Sequence, residues 1–582
     1  MATGTHNRSE TRAGDPSESD LKTVMDFAKA GAPRLALRLM DVYQPGRLEH
    51  PEGWLRWERE RITILQLRGL WAELTERLAA PPPGLPDAFY IWAREMRAMA
   101  FLRLGQGRSA RRAIMGNVWA GDEPRQEVIA RWQRLIIQAY LAEERDQDAE
   151  RAMLRYRLDH GDGGQDWAVL RAIILLRVGE PEQALAVLQG VDAPAVSVLR
   201  DLAALRMGKA DAEKLYTRVR KKLRSSRKTT EGRAELWALA AEAAARSGLP
   251  GDRVGALEGA LGQVDGVDAG HPLAVAVDEL WTAYIDYGQK VANDAQLLIG
   301  DEQAWTRLVD VSSKDPVKAR ALLATLALKS TVEAQRTRAH LRFAEALLGT
   351  DFGSLLLKRL YLESARFDSI ERVPGSVRHL LAQGALDSGD IDAASRLVAG
   401  LREAPEGQNP FEWALRRSRI LILGGDAVSG ADGLEGVIDS VLASPEPRDE
   451  ADIDRLLQVV FDLQAVEAHQ LAFDLLRKLH RAELGQRHRR EILFWMADSA
   501  KALGNREAAA ALYLRSAMWP DAYAMDQWAQ TARYHAADLM ADLGWLDDAR
   551  SLYQGLLAVT KDPGRRAVLR QRLQRLLLQR SP

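Results

Sequence analysis

One spacing recurs along the 582-residue chain and constrains its fold more than any other feature. A small residue is followed seven positions later by Gly, five later by a second small residue, and four later by an aromatic or aliphatic one. Ala497, Gly504, Ala509 and Tyr513 set the frame, and Ala537, Gly544, Ala549 and Tyr553 repeat it. It returns as Ala172, Gly179, Ala184 and Leu188, as Ala382, Gly389, Ala394 and Val398, and as Ala98, Gly105, Ala110 and Ile114. A degenerate copy near the start has Val24, Gly31, Ala36 and Met40. Around these anchors apolar residues fall at i, i+3, i+4 and i+7 in runs of about 12–16, the period of a helix.

The frame is that of a helical hairpin. A small residue on the first helix lets the second approach closely, and Gly ends the first helix where a left-handed cap conformation is needed. The second small residue marks the crossing point, and the larger residue one turn later fills the gap to the next hairpin. Pro33 after Gly31 and Pro181 after Gly179 sit at the first turn of a second helix, where no N–H is required. Asp315–Pro316 predicts the same junction, with Asp315 as N-cap.

These residues resemble the tetratricopeptide-repeat (TPR) family, most closely at Ala509-x-x-x-Tyr513 with Pro520 and Ala549-x-x-x-Tyr553 with Pro563. The family's Trp and Tyr positions on the first helix are mostly aliphatic here, and the interval between anchors drifts from about 35 to 41 rather than holding at 34. The resemblance implies an all-α fold: a right-handed superhelical α-solenoid of antiparallel helical hairpins, TPR-like, with no catalytic domain. It also implies protein–protein binding in the concave groove.

Weaker copies at Leu74 with Leu78, Ala149 with Met153, Ala212 with Tyr216, Ala256 with Ala260, Ala319 with Leu323 and Ala472 with Leu476 fill the gaps, for about 12–14 hairpins. The interval from Ala256 to Ala319 is too long for one hairpin and predicts an extra helix over 273–291, with Leu280, Trp281, Tyr284 and Ile285 near one face. Gly262, Gly266 and Gly270 before Pro272 mark a boundary. The expected organisation is a disordered tail over 1–19, a solenoid over 20–262, an irregular junction with the extra helix over 263–300, a second solenoid over 301–560 and a basic capping helix over 561–582.

Composition narrows the function. Eighty Lys and Arg against 81 Asp and Glu argue against a generic electrostatic grip on nucleic acid or anionic lipid. With no cysteine there are no disulfides, thiolate metal sites or cysteine nucleophiles. No run reaches the ~20 apolar residues of a membrane-spanning helix, and Met1–Asp20 lacks the apolar core of a secretory signal. Absence of cysteine favours a periplasmic or envelope-associated setting, with the signal absent from this chain and the cytoplasm as the alternative. Only 15 of the basic residues are Lys, an Arg bias that points to a bacterial source.

Catalytic signatures fail. Gly105-Gln-Gly107 mimics part of a dinucleotide fingerprint but lies between two helices with no preceding strand, so it reads as a turn. His160–Gly164 reads as a linker. His480 and His488 straddle a turn crowded by Arg487, Arg489 and Arg490, which disfavours metal and predicts a surface role. Glu363-Ser364 resembles the Glu-Ser pair of lytic transglycosylases, but that family's downstream Gly-Leu-Met-Gln element is missing. The 15 Trp, with an early group at Trp54, Trp57, Trp71 and Trp92, read as fillers between repeats.

Two basic stretches stand out. The run 214–233 nominates Arg218, Lys221, Lys222, Arg224, Arg227 and Lys228 as partner-binding residues, against an alternative of cations that suit a helix C-terminus. The last helix alternates Val568, Leu569, Leu573, Leu576 and Leu577 with Arg566, Arg570, Arg572 and Arg575, as a cap on the final hairpin would. No catalytic, cofactor-binding or metal-ligating residue is nominated. The sequence therefore describes a non-catalytic scaffold or adaptor, with no cofactor, that binds a protein segment in a concave groove, in a bacterial envelope assembly. The alternatives are a nucleic-acid-binding helical repeat using 214–233 and a non-catalytic arm of a cell-wall enzyme complex.

Overall fold

The computed structural model describes residues 18–30, 32–115, 125–162, 164–192, 196–225, 232–264, 266–292, 296–297, 301–443 and 449–579. Every regular element among them is helical, about thirty helices in all, and no strand forms. Within each of the two compact units most consecutive helices pack against each other, as a stack of hairpins requires. The first helix of a hairpin also packs against the first helix of the next. Asp87–Arg103 lies against Gln126–Ala142, and Val196–Arg206 lies between Gln165–Arg177 and Arg233–Arg246. In the same way Glu333–Leu348 meets Gly375–Asp387, and Pro410–Leu423 meets Glu450–Ala465.

The recurring frame has its physical cause in the turns. Gly105, Gly179, Gly389, Gly504 and Gly544 all take positive φ, between 69° and 85°. At Gly504 the chain closes by Asn505 N–H bonding Ala500 O at 2.9 Å and Gly504 N–H bonding Lys501 O at 3.0 Å, a Schellman cap. Gln106 to Phe101 and Gly105 to Leu102 repeat that pair of bonds. Gly31 lies outside the described residues. Two hairpins make the same turn without glycine: Glu144 at φ 57° and Glu467 at φ 62°.

The second helices start as the sequence indicates. Asp315 accepts from the Lys318 N–H at 3.2 Å, and Pro316 is the first helical residue. Asn505 and Asp390 cap their helices through Ala508 N–H and Ala393 N–H. On the first helices Ala98, Ala172, Ala497 and Ala537, and on the second helices Ala110, Ala184, Ala509 and Ala549, are all at most 1 % exposed. Such burial leaves no room for an added methyl and lets the helix backbones come close.

The chain divides into two compact units, Met1–Val291 and Ala292–Pro582. In the N-terminal unit the apolar core is built in small clusters, each shared by neighbouring hairpins. Trp57 is buried there, while Trp54, Trp71 and Trp92 pack at the edge of the cluster around Phe89. The extra helix runs Val277–Val291, starting later than predicted because 266–276 is irregular. It buries Leu280, Trp281 and Tyr284, whose hydroxyl donates to Glu258 at 2.6 Å. In the C-terminal unit one continuous apolar core runs from Leu415 to Leu576. The last helix, Pro563–Gln579, joins it through Leu569 and Leu576, while Leu577 and Leu578 stay exposed.

Candidate functional site

The basic run separates into anchored and free cations. Helix Ala212–Ser225 buries Leu215, Val219 and Leu223, four residues apart, so its basic side chains are driven to the outer faces. Arg218 pairs with Asp201 at 2.7 Å, and Lys214 with Asp211 at 3.5 Å. Arg220 stacks on Trp237 with its guanidinium carbon 4.8 Å from the ring centre. Burial and a hydrogen bond to Asp252 push the Tyr216 hydroxyl well above its ordinary pKa. Lys221, Lys222 and Arg224 are exposed and make no ion pair among the described residues. Arg227 and Lys228 lie outside the described residues. Of the nominated residues, the structure therefore groups three free cations and one structural arginine on a single helix.

A second arrangement in the same unit has no counterpart in the nominated residues. Arg103, Arg177 and Arg206 each stand two positions before a turn glycine, at the C-terminal end of a first helix. Their side chains converge on the irregular segment between the last two helices of the unit. Arg103 pairs with Asp268, Arg177 donates to the Ala269 carbonyl at 3.4 Å, and Arg206 donates to the Pro272 carbonyl at 3.0 Å. Arg206 is itself clamped by both carboxylate oxygens of Glu242 at 3.0 Å, and Arg177 by Asp146 at 2.6 Å. Gly270 passes so close to Leu141 that a Cβ there would stand 2.9 Å from the leucine Cβ. Burial, with Arg206 and Arg177 nearby, lowers the His271 pKa to about 4 and keeps the imidazole neutral.

In the C-terminal unit the first-helix face holds a cavity of about 660 Å³. Three first helices line it at helical spacing, with Arg338, Leu341 and Glu345, then Ser376, His379 and Gln383, then Trp413, Arg416 and Ile420, and Val398 with the loop residues Pro405, Glu406 and Gln408 completes the wall. His379 meets Trp413 edge-on at 4.4 Å. Burial lowers the His379 pKa, and Arg378 and Arg416 add to the shift. Ser376 Oγ and His379 Nδ1 are buried with no hydrogen-bond partner among the described residues. Arg416 donates to neutral Gln383, and Arg338 makes no ion pair among the described residues. Glu345 and Glu406 bring carboxylates to the same cavity. The arrangement offers directed polar groups and an aromatic wall to a ligand that brings both polar and apolar surface.

The remaining sequence motifs are structural. Gly105 makes the cap, and Gly107 faces helix Gln126–Ala142 so closely that a Cβ would stand 2.3 Å from the Ala139 carbonyl oxygen. His160 bonds Gln133 at 3.0 Å beside the turn glycines Gly161 and Gly164. The surface role expected of His488 is corrected: it is 1 % exposed, with Nε2 2.9 Å from Asp454. That bond, with Arg487 alongside, holds the Asp454 carboxyl below its ordinary pKa. Glu363 ends a π-helical turn, Arg359–Glu363, and Ser364 is buried behind it. Among the described residues no three His, Cys, Asp or Glu gather as metal ligands, and no helix is long and apolar enough to cross a membrane.

The repeated Arg two residues before the turn glycine was the available signal for the arginine row. The cavity had none, because its walls come from three separate stretches of sequence.

Neither a family model nor a curated protein matches the sequence. Among solved structures, the crystal structure of the APC/C hetero-tetramer Cut9–Hcn1 aligns over 96 % of this chain and 96 % of its own, at 14 % identity and a TM-score of 0.27. Yeast Tom70 aligns over 85 % of this chain and 97 % of its own, at 10 % identity and a TM-score of 0.18. Superpositions this loose place no residue and identify no partner.

Proposed function

We propose that this chain is a non-catalytic scaffold that holds a protein segment on the first-helix face of its C-terminal unit, the groove side of a TPR-like array. The observation that carries the reading is the cavity between Arg338, His379 and Arg416, where Ser376 Oγ and His379 Nδ1 lack hydrogen-bond partners among the described residues. Buried polar groups are ordinarily satisfied, so such atoms favour a site that a bound chain completes. A bacterial envelope assembly is the setting that the Arg bias and the missing cysteines favour.

A photo-crosslinking residue at Gln383 tests the reading, with Arg396 on the neighbouring second helix as control. Expected is a crosslink to a discrete protein from Gln383 that the control position does not give. Equal yields from both positions, or none from either, would sink it. The free cations Lys221, Lys222 and Arg224 support the nucleic-acid alternative only if oligonucleotide binding is measurable at low salt and weakens steeply as salt rises.

A further inference from the structure

We propose that the row Arg103, Arg177 and Arg206 is a docking surface for an extended protein segment carrying an Asp or Glu side chain, and that residues 266–276 of this chain occupy it as an internal ligand.

Economy of connection is the first argument. Helices Pro250–Leu261 and Val277–Val291 pack directly against each other. Helix-to-helix connections in such arrays need only about 2–8 residues. Here the chain uses all of 262–276 and detours past the ends of four first helices. The length is explained by what the segment touches, not by the gap it bridges.

Chemistry is the second. The segment is held as a bound peptide would be, by a carboxylate on Arg103 and by two main-chain carbonyls on Arg177 and Arg206. Main-chain contacts of this kind give affinity for any extended chain, while side-chain pockets give selectivity. Three features set the selectivity: an acidic side chain opposite Arg103, a glycine where the chain crosses Leu141, and an apolar residue in the place of Leu273, which is 4 % exposed.

The hold is also incomplete. The Arg103–Asp268 pair has side chains 52 % and 63 % exposed, and exposed pairs contribute little. Between the segment and the helices lies a cavity of about 310 Å³ walled by Met99, Leu102, Leu141, Leu170 and Ile173. The segment roofs these apolar walls without filling the space against them, which forfeits packing that a bulkier partner side chain would recover. A partner of the same charge pattern with a larger apolar residue fits this surface better than the chain's own segment does.

The proposal rests on the scaffold reading but concerns the other unit. Loss of crosslinking at Gln383 with peptide binding intact would fail that reading's site alone, and the converse would fail this one alone.

The test uses the full chain and a fluorescein-labelled synthetic peptide of residues 263–276, with a scrambled control. Three proteins are compared: wild type, Asp268→Ala with Leu273→Ala, and that double variant carrying Arg103→Gln. The double variant is expected to bind the peptide at least tenfold tighter than wild type, and Arg103→Gln to weaken that binding by about two- to fivefold, the share an exposed ion pair carries. Equal binding by wild type and a folded double variant, or binding indifferent to Arg103→Gln, overturns the proposal. Should the double variant fail to fold, hydrogen exchange on wild type decides. Saturating unlabelled peptide must accelerate exchange within 266–276, and unchanged exchange overturns the proposal. A dimer in which two copies trade this segment would make a second copy the occupant and equally overturn it.

Discussion

The Tyr513 hydroxyl donates to Asp498 at 3.1 Å across the two helices of one hairpin, and Tyr553 makes the same bond to Asp538 in the next. Both tyrosines are essentially buried, and burial together with the facing carboxylate raises their pKa well above the ordinary value. The tyrosine thus fills the gap between hairpins with its ring and ties its own hairpin shut with its oxygen. Tyr513→Phe keeps the ring and loses the bond, for an expected cost of about 1 kcal/mol. Tyr513→Ala also opens a cavity and is expected to cost about 3–5 kcal/mol. Urea unfolding of the two variants measures the difference, and equal costs would show that the hydroxyl, not the ring, dominates.

Glu144 and Glu467 occupy the left-handed turn position that glycine takes elsewhere. Both are exposed, so their side chains have little packing to lose. A non-glycine residue there carries a steric cost of about 1–2 kcal/mol. Glu144→Gly and Glu467→Gly are each expected to stabilise the protein by about 0.5–1 kcal/mol, part of the relief being offset by greater freedom of the unfolded chain. The reverse change, Gly504→Ala, should destabilise by about 1 kcal/mol although no atom stands within 4 Å of the added Cβ. Thermal melts of the three variants check both signs.

Gly107→Ala separates packing from phosphate binding. Its Cβ would meet the Ala139 carbonyl oxygen and Glu143 Cγ at 2.3 and 2.7 Å. Forcing the helices apart is expected to cost about 1–3 kcal/mol. Calorimetric titration with NAD should give no heat of binding for wild type. A measurable nucleotide affinity abolished by this substitution would contradict the assignment of Gly107 to helix packing.

Acid should weaken the C-terminal unit through His340. The ring is 6 % exposed, with Nδ1 2.8 Å from the Tyr361 hydroxyl and a further bond to the Ala327 backbone. Burial, reinforced by Arg336, lowers its pKa from 6.5 to about 4. Because the folded form resists protonation, its contribution is fully present above about pH 6.5, is lost as pH falls from there toward 4, and is flat below. The span corresponds to about 3 kcal/mol. His340→Gln should reduce by nearly one the protons taken up on unfolding between pH 4 and 6.5, read from the slope of urea-derived stability against pH. An unchanged slope would exclude His340 as the source.

What the sequence disclosed and what it hid divide along one physical line. The turn at Gly504, the cap at Asp315 and the close crossing at Ala509 depend on residues a few positions apart, so their spacing was visible before any fold was known. His488 reads in the sequence as a surface residue because its neighbours are arginines, while its partner Asp454 comes from another hairpin. The Arg103, Arg177 and Arg206 row was written in the repeat, yet its meaning depended on where 266–276 passes. The cavity around His379 required knowing which three helices stand side by side. Local chemistry could be read directly; adjacency could not.

The segment 266–276 has a consequence for how the protein is made. Its contacts with Arg103, Arg177 and Arg206 span 165, 92 and 66 residues of chain. A growing polypeptide emerges N-terminus first, and an array of hairpins would otherwise consolidate pair by pair as it leaves the ribosome. Here the first helices ending at those arginines acquire their final partner only after residue 272 has been synthesised. Until then Met99, Leu102, Leu141, Leu170 and Ile173 lack the cover that this segment gives them, so the nascent N-terminal unit passes through a stage in which that surface is open to whatever binds first.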